Sequence, residues 1–312
     1  MISESQYITL NNSKQNIFKM YTSESNPVLL ILHGGPGSPD RPLVKKYNSS
    51  LAEYFTLICW DQRGSGLSYC KDKLSVDLMI SDLHELVKWL CREYKKEKIY
   101  IAGHSWGAYL GLRYVSMYPD NVAYYIGTGQ GISSNDEIYK YNFAVQKAKQ
   151  FGNKKETEKL LLISPPKGKE YQADNTKCKK YVSKLVHKYG GYIHPDGVFN
   201  MNEYLSLYIK CYKFQVFRLI KGISHSLKFL EKDMLANENI DISRIDVPIK
   251  IIMGEQDYIC PVEETKKWYD KLVAPTKDLV IIKNAAHMVN FEQPKKWSKE
   301  LLSLLHAENQ CN

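Results

Sequence analysis

The chain has 312 residues, 44% hydrophobic and 25% charged, with a formal net charge of +9. That length holds one large core with an insertion, or two domains, and the composition excludes a disordered or fibrous chain. The seven cysteines (59, 70, 91, 178, 211, 260 and 311) are scattered and form no C-x-x-C pair, so neither a metal site nor a disulfide framework is expected.

Two short alternating runs come first, Tyr7–Leu10 and Ile17–Tyr21, joined by Asn11-Asn12-Ser13-Lys14; they predict a hairpin. Strand and helix patterns then alternate. Pro27–His33 reads as a buried strand, Lys45–Tyr54 as a helix, Phe55–Trp60 as a strand and Val76–Tyr94 as a long amphipathic helix. Lys98–Ala102 is a strand, Trp106–Met117 a helix ahead of Pro119, and Val122–Gly127 the next strand. This alternation predicts a mostly parallel sheet covered by helices on both faces, an α/β fold.

The rhythm breaks after Thr128. From 129 to 236 the pattern is helical, rich in Lys and Tyr, and interrupted by Ser164-Pro165-Pro166-Lys167-Gly168 and by Gly190-Gly191. Strand and helix patterns return with Val247–Met253, Pro261–Leu272, Asp278–Lys283 and Trp297–His306. The expected organisation is a core of residues 1–128 and 237–312 with a mostly helical cap, 129–236, inserted over the ligand crevice. Charge is uneven too. Gly131 to Leu235 holds 19 Lys+Arg against 10 Asp+Glu, whereas the remainder holds 24 of each. No nucleic-acid motif accompanies the excess, which reads as a solvated lysine surface or as a field favouring acidic ligands. The first residues show no basic segment followed by an apolar run, and no apolar stretch nears the roughly 18 residues of a membrane span. A cytoplasmic protein with no nucleic-acid or membrane partner is expected.

The most informative stretch is Gly103-His104-Ser105-Trp106-Gly107, a Gly-x-Ser-x-Gly between a strand and a helix. That context puts Ser105 on a tight turn with its hydroxyl at the carboxyl end of the strand, where a nucleophile sits. A side chain at Gly103 or Gly107 would collide with the neighbouring strand or helix. A serine needs a base, and the base an acid that fixes its tautomer. His287 follows the last strand in Asn284-Ala285-Ala286-His287-Met288, and Asp257 follows another in Gly254-Glu255-Gln256-Asp257; both stand at carboxyl ends, facing Ser105. His104 should point away from the serine, and Cys260 reads as packing. The oxyanion requires two fixed N–H donors. Trp106, after the nucleophile, is one; Gly35 in His33-Gly34-Gly35-Pro36-Gly37 is the other, with Gly34 as its alternative.

Together, His33-Gly-Gly-Pro-Gly37, Asp61-Gln-Arg-Gly-Ser-Gly66-x-Ser68, Gly103-His-Ser-Trp-Gly107 and Gly254-x-x-Asp257-x-x-Cys260-Pro261 resemble the α/β-hydrolase superfamily, and more narrowly its proline iminopeptidase branch. The likeness covers residues 25–130 and 245–310. It implies the α/β-hydrolase fold, a Ser105–Asp257–His287 triad, an oxyanion hole shaped by Gly35 and Trp106, no cofactor, and release of an N-terminal residue, typically proline, from small peptides. The Asp61–Ser68 segment would hold the loop beside the active site. Members of the branch often carry Gly-Arg-Tyr-Asp at the acid, where this chain has Gly254-Glu255-Gln256-Asp257. They bind the substrate amine with acidic residues of the cap or beside the acid. Here Tyr258 follows the acid, leaving Glu203, Glu137, Asp136 and Glu231 as cap candidates, with Glu203 preferred. The basic segment would repel an ammonium, so an esterase or thioesterase acting on an anionic acyl substrate is the alternative. A non-catalytic ligand-binding protein is the outside one.

Overall fold

The computed structural model describes residues 1–132, 136–167, 170–231, 233–234 and 242–308. The expected cap boundary at 236 and 237 lies outside them. The amino-terminal hairpin is longer than its alternating pattern: β1 is Ile2–Leu10 and β2 is Ser13–Tyr21, paired with Leu10 opposite Ser13. Only Asn11 and Asn12 form the turn, at φ 43° and 61°, the tight geometry that matches strand twist and that asparagine tolerates.

Next come β3 (Val28–Leu32), α1 (Arg41–Tyr47), β4 (Thr56–Asp61) and α2 (Val76–Glu93). The helix expected over Lys45–Tyr54 starts earlier, because Pro42 suits a first turn. It ends at Asn48, from which a separate 3-10 turn, Ser49–Glu53, leads on. Helix α2 begins where Ser75 accepts a hydrogen bond from the Leu78 N–H, an N-cap. Then follow β5 (Ile99–His104), α3 (Trp106–Met117) and β6 (Val122–Thr128).

Among the described residues, the chain between β6 and the next strand carries the α-helices α4 (Asp136–Gln150), α5 (Lys154–Ile163), α6 (Asn175–Lys188), α7 (Met201–Tyr212) and α8 (Val216–Ser226). The core resumes with β7 (Ile249–Gly254), α9 (Val262–Lys271), β8 (Lys277–Ile282), α10 (Val289–Glu292) and α11 (Pro294–Glu308).

The eight strands make one sheet in the order β1-β2-β4-β3-β5-β6-β7-β8, antiparallel through β1, β2 and β4 and parallel beyond. Strand β3 shows how the sheet is covered. Val28, Leu30 and Leu32 join one apolar cluster with α2 and α3, while Leu29 and Ile31 join another with α1 and α11. Alternate side chains of a strand point to opposite faces, so both faces are buried, as a parallel sheet requires. A third cluster (Tyr141, Phe143, Leu160, Val182 and Leu185 among others) is drawn from α4, α5, α6 and Tyr171. Among the described residues no helix is long and apolar enough to cross a membrane.

Candidate active site

Ser105 is the residue between β5 and α3, at φ 54° and ψ −115°. A non-glycine residue held there is strained, and close packing holds it. A Cβ on Gly107 would lie 2.1 Å from the Leu32 carbonyl oxygen, and one on Gly103 would lie 2.3 Å from that of Gly107. The steric role read for both glycines from sequence is therefore met. The Ser105 N–H donates to the Thr128 carbonyl (2.9 Å) at the end of β6. Trp106 opens α3, where a backbone N–H has no partner within the helix.

Asp257 lies three residues beyond β7 and is 3% exposed. Its Oδ1 accepts the N–H groups of Ile259 (2.9 Å) and Cys260 (2.8 Å), while Oδ2 faces Nδ1 of His287 at 2.9 Å. A carboxylate only accepts, so Nδ1 carries the proton and Nε2 is left as the basic nitrogen. His287 follows β8. Its ring adjoins the residue after Thr128: a Cβ on Gly129 would come 3.1 Å from both Cε1 and Nδ1. Ser105, Asp257 and His287 are thus gathered at the carboxyl edge of β5, β6, β7 and β8. An open cleft of about 700 Å³ lined by Pro27, Lys98, Val122 and Pro248 opens at the amino ends instead, away from this chemistry.

His104 has its ring 5.0 Å from that of His287. Its Nε2–H donates to the His287 carbonyl (3.0 Å), fixing the backbone of the expected base. Burial, then repulsion from His287, lowers the His104 pKa to about 3. The Asp61–Ser68 segment braces the loop His33–Gly37, where an oxyanion donor is expected. The Gln62 amide donates to the His33 carbonyl (3.2 Å), and its Oε1 accepts the Trp106 indole N–H (2.8 Å). The Gln62 backbone N–H reaches His33 Nε2 (3.3 Å), whose Nδ1–H donates to the Gly34 carbonyl (2.8 Å). Burial lowers the His33 pKa to about 4. One side chain, Gln62, therefore braces both segments that carry the expected donors, Gly35 and Trp106. Burial pushes the Cys260 thiol well up, which keeps it an inert packing group.

The segment between α6 and α7 was legible only as a Gly-Gly break. It is bonded to both loops of the expected acid and base. Gly191 O accepts the Tyr258 N–H (3.1 Å), and Tyr192 O accepts the His287 N–H (3.1 Å). Gln256, one of the departures from the family pattern, meets the His194 side chain at 2.9 Å. Buried Glu292 accepts the N–H groups of His194 (2.6 Å) and Ala286 (3.1 Å); burial raises its pKa to about 7. Helix α7 turns three tyrosines inward. Tyr204 Oη lies 3.1 Å from Ser38 Oγ, and the Tyr208 and Tyr212 hydroxyls donate to the Pro39 carbonyl (2.7 Å) and to Asp61 (3.0 Å).

Of the acidic candidates, Glu203 is paired with Lys46 at the surface and is not among the groups brought to Ser105. Glu137 pairs with Lys140 (2.9 Å). Asp136 is close enough to Asp257 to feel its charge, and burial above all raises its pKa to about 7. The Glu231 side chain lies outside the described residues. Sequence reasoning missed Asp40, which reads as a helix-start residue before Pro42. Asp40 is 6% exposed and its Oδ2 is buried without a hydrogen-bond partner. Burial raises its pKa to about 8, against a hydrogen bond from the Gly34 backbone that favours ionisation. Gly34 in turn borders the serine: a Cβ there would be 3.4 Å from that of Ser105. The Tyr192 phenol, whose ring is 5.8 Å from that of His287, feels both Asp40 and Asp257. Among the described residues there is no cluster of His, Cys, Asp and Glu able to hold a metal ion.

A parallel sheet with a serine elbow after its central strand, and an Asp–His pair on later loops, defines a class of hydrolase folds. Residues 27–294 match the model of the alpha/beta hydrolase fold, and the chain belongs to that family. Its resemblance to the proline iminopeptidase branch appears among its relatives. The protein named "Probable aminopeptidase YbaC" of Bacillus subtilis (strain 168) is 29% identical over 326 aligned positions, 94% of this chain and 93% of the relative. "Proline iminopeptidase PfmaB" of Pestalotiopsis fici is 22% identical over 294 positions, covering 94% and 97%. Among solved structures, a bacterial membrane phospholipase A superposes with a TM-score of 0.67 at 14% identity, over 98% of this chain and 86% of that one. These matches share a fold across peptidase and lipase names.

Proposed function

We propose that this chain is a serine aminopeptidase that releases one N-terminal residue, of the proline type, from short peptides. Ser105 Oγ attacks the scissile carbonyl while His287 Nε2 takes its proton, and Asp257 stabilises the imidazolium. The N–H groups of Gly35 and Trp106 receive the oxyanion. His287 then protonates the leaving amine, and water, activated by the same histidine, frees the acid from the acyl-enzyme.

Asp40 carries the choice of an amine substrate. A carboxyl group buried without a partner for one oxygen is costly unless a ligand completes it; a substrate ammonium favours the ionised form, draws the proton off Asp40 and then holds the carboxylate by charge and by hydrogen bond. The names of the two relatives support the same reading. The positive surplus between Gly131 and Leu235 favours the second reading, an esterase or thioesterase for anionic acyl groups.

The test compares a prolyl arylamide, its N-acetyl derivative and a short-chain aryl ester. Turnover of the first, lost on acetylation, is expected; ester turnover alone would replace this reading with the second. Asp40→Asn should raise KM for the free-amine substrate at least about tenfold, the scale of one charge-assisted bond, and leave the ester's KM unchanged. The same variant has a stability signature. Folded Asp40 keeps its proton up to about pH 8, whereas the unfolded chain releases it near 3.8. Stability therefore falls as pH rises between those values, and the Tm advantage of Asp40→Asn should grow from pH 5 to pH 8. A Tm difference that does not change with pH would show that Asp40 is not held neutral.

A further inference from the structure

Helix α7 has two unlike faces. Tyr204, Tyr208 and Tyr212 point inward, onto the loop that follows Gly35 and onto Asp61. Met201, Leu205 and Ile209, on the same four-residue spacing, stand 47%, 61% and 47% exposed. The pattern continues past the helix. Phe214 in the short turn Lys213–Gln215 is 92% exposed, and Phe217 and Ile220 of α8 are 53% and 72% exposed. Leu219, Gly222 and Ser226 on the inner side of α8 are buried. Twenty consecutive residues thus give six large apolar side chains to water, far more than scattered exposure explains.

Beyond Glu203 in the first turn of α7, which is paired with Lys46, the charges around them are of one sign. Between Tyr204 and Leu230 the sequence has Lys210, Lys213, Arg218, Lys221 and Lys228, and no Asp or Glu. The Lys221 ammonium lies 5.6 Å from the Phe217 ring centre, and that of Lys228 lies 5.3 Å from Phe229. Cations thus border the apolar groups rather than occupying a separate face.

We propose that the outward face of α7 and α8 docks onto the surface of a bilayer containing anionic lipid. Apolar side chains enter the acyl boundary while long basic side chains reach back to the headgroups, the division of labour of an interfacial helix. A second copy of the chain is the competing occupant, but a two-fold contact would set these five cations against the same five. A bilayer with anionic headgroups meets both the apolar and the cationic demand, and charges near such a surface add to its hold. The expectation of no membrane partner rested on the absence of a spanning segment, and surface docking needs none. The inference is independent of the substrate reading.

The full chain would be sedimented with vesicles of phosphatidylcholine alone, and of phosphatidylcholine mixed with phosphatidylglycerol. Binding to the mixed vesicles at least about tenfold stronger than to neutral ones, weakening with salt, is expected. Phe214→Ser/Phe217→Ser/Ile220→Ser should abolish it. Lys213→Glu/Lys221→Glu should lower it by about tenfold or more, with arylamide or ester turnover in solution and the circular dichroism spectrum unchanged in both variants. Absence of binding by the native chain, or equal binding by the native chain and the triple-serine variant, overturns the proposal. So does a dimer seen by light scattering that the triple-serine substitution dissociates, which would assign the face to a second copy.

Discussion

Helices α4–α6 and helices α7–α8 come from one stretch of chain between β6 and β7, yet they use their apolar side chains differently. The first group packs largely upon itself, around Tyr141, Phe143, Leu160, Val182 and Leu185. In the second, Tyr208, Tyr212 and Leu219 join the same cluster as Phe18, Leu29 and Ile31 of the sheet, and the tyrosine hydroxyls meet Ser38 and Pro39 of the loop after Gly37 and Asp61 at the end of β4. An insertion can therefore be part self-contained layer and part extension of the site it covers.

Substitutions at three depths would break or sharpen that contrast. Ser105→Ala, in the floor beneath both halves, should cut turnover by at least about a thousandfold while leaving Tm unchanged. Retention of a tenth of the native rate would remove Ser105 from its role. Tyr208→Phe deletes the bond to the Pro39 carbonyl and leaves that acceptor buried. A loss of about 1–2 kcal/mol in stability is expected, with a fall in kcat/KM of about threefold to tenfold as the Gly34–Asp40 loop loosens. Val182→Ala opens a cavity in the self-contained half at a cost of about 1–3 kcal/mol, and kcat/KM should stay within about twofold of native. Equal kinetic damage from Val182→Ala and Tyr208→Phe would show that the two halves are not mechanically distinct.

The sequence was legible where chemistry and backbone geometry are local. The elbow, the strand-end positions of Asp257 and His287, and the Gly-Pro loop all follow from motifs a few residues long, and the mostly parallel, doubly covered sheet follows from alternation. The Lys45–Tyr54 helix was misplaced because Pro42 at the first turn and the break at Asn48 were read through rather than read. Gln62, Glu292 and Asp40 were out of reach for a different reason. Each is an ordinary polar residue in sequence: Gln62 and Glu292 take their roles from partners far along the chain, His33 and Trp106 or His194, and Asp40 takes its role from burial by the surrounding fold. Glu203 looked like a binding carboxylate only because its partner, Lys46 on α1, lies far off in the chain. No local pattern reports such pairings.

Besides the His194 side chain at Gln256, the strap formed by residues 191–194 holds the loops of Asp257 and His287 through its main chain: two carbonyls, from Gly191 and Tyr192, and one N–H, from His194, that acts by way of Glu292. Bonds of that kind are indifferent to the side chains carried by the strap. Tyr192 and Ile193 can therefore be exchanged in the course of divergence without slackening the pair Asp257–His287. On the mechanism proposed above, a lineage built on this frame is free to vary the residues nearest the imidazole while the Asp257–His287 pair stays in register.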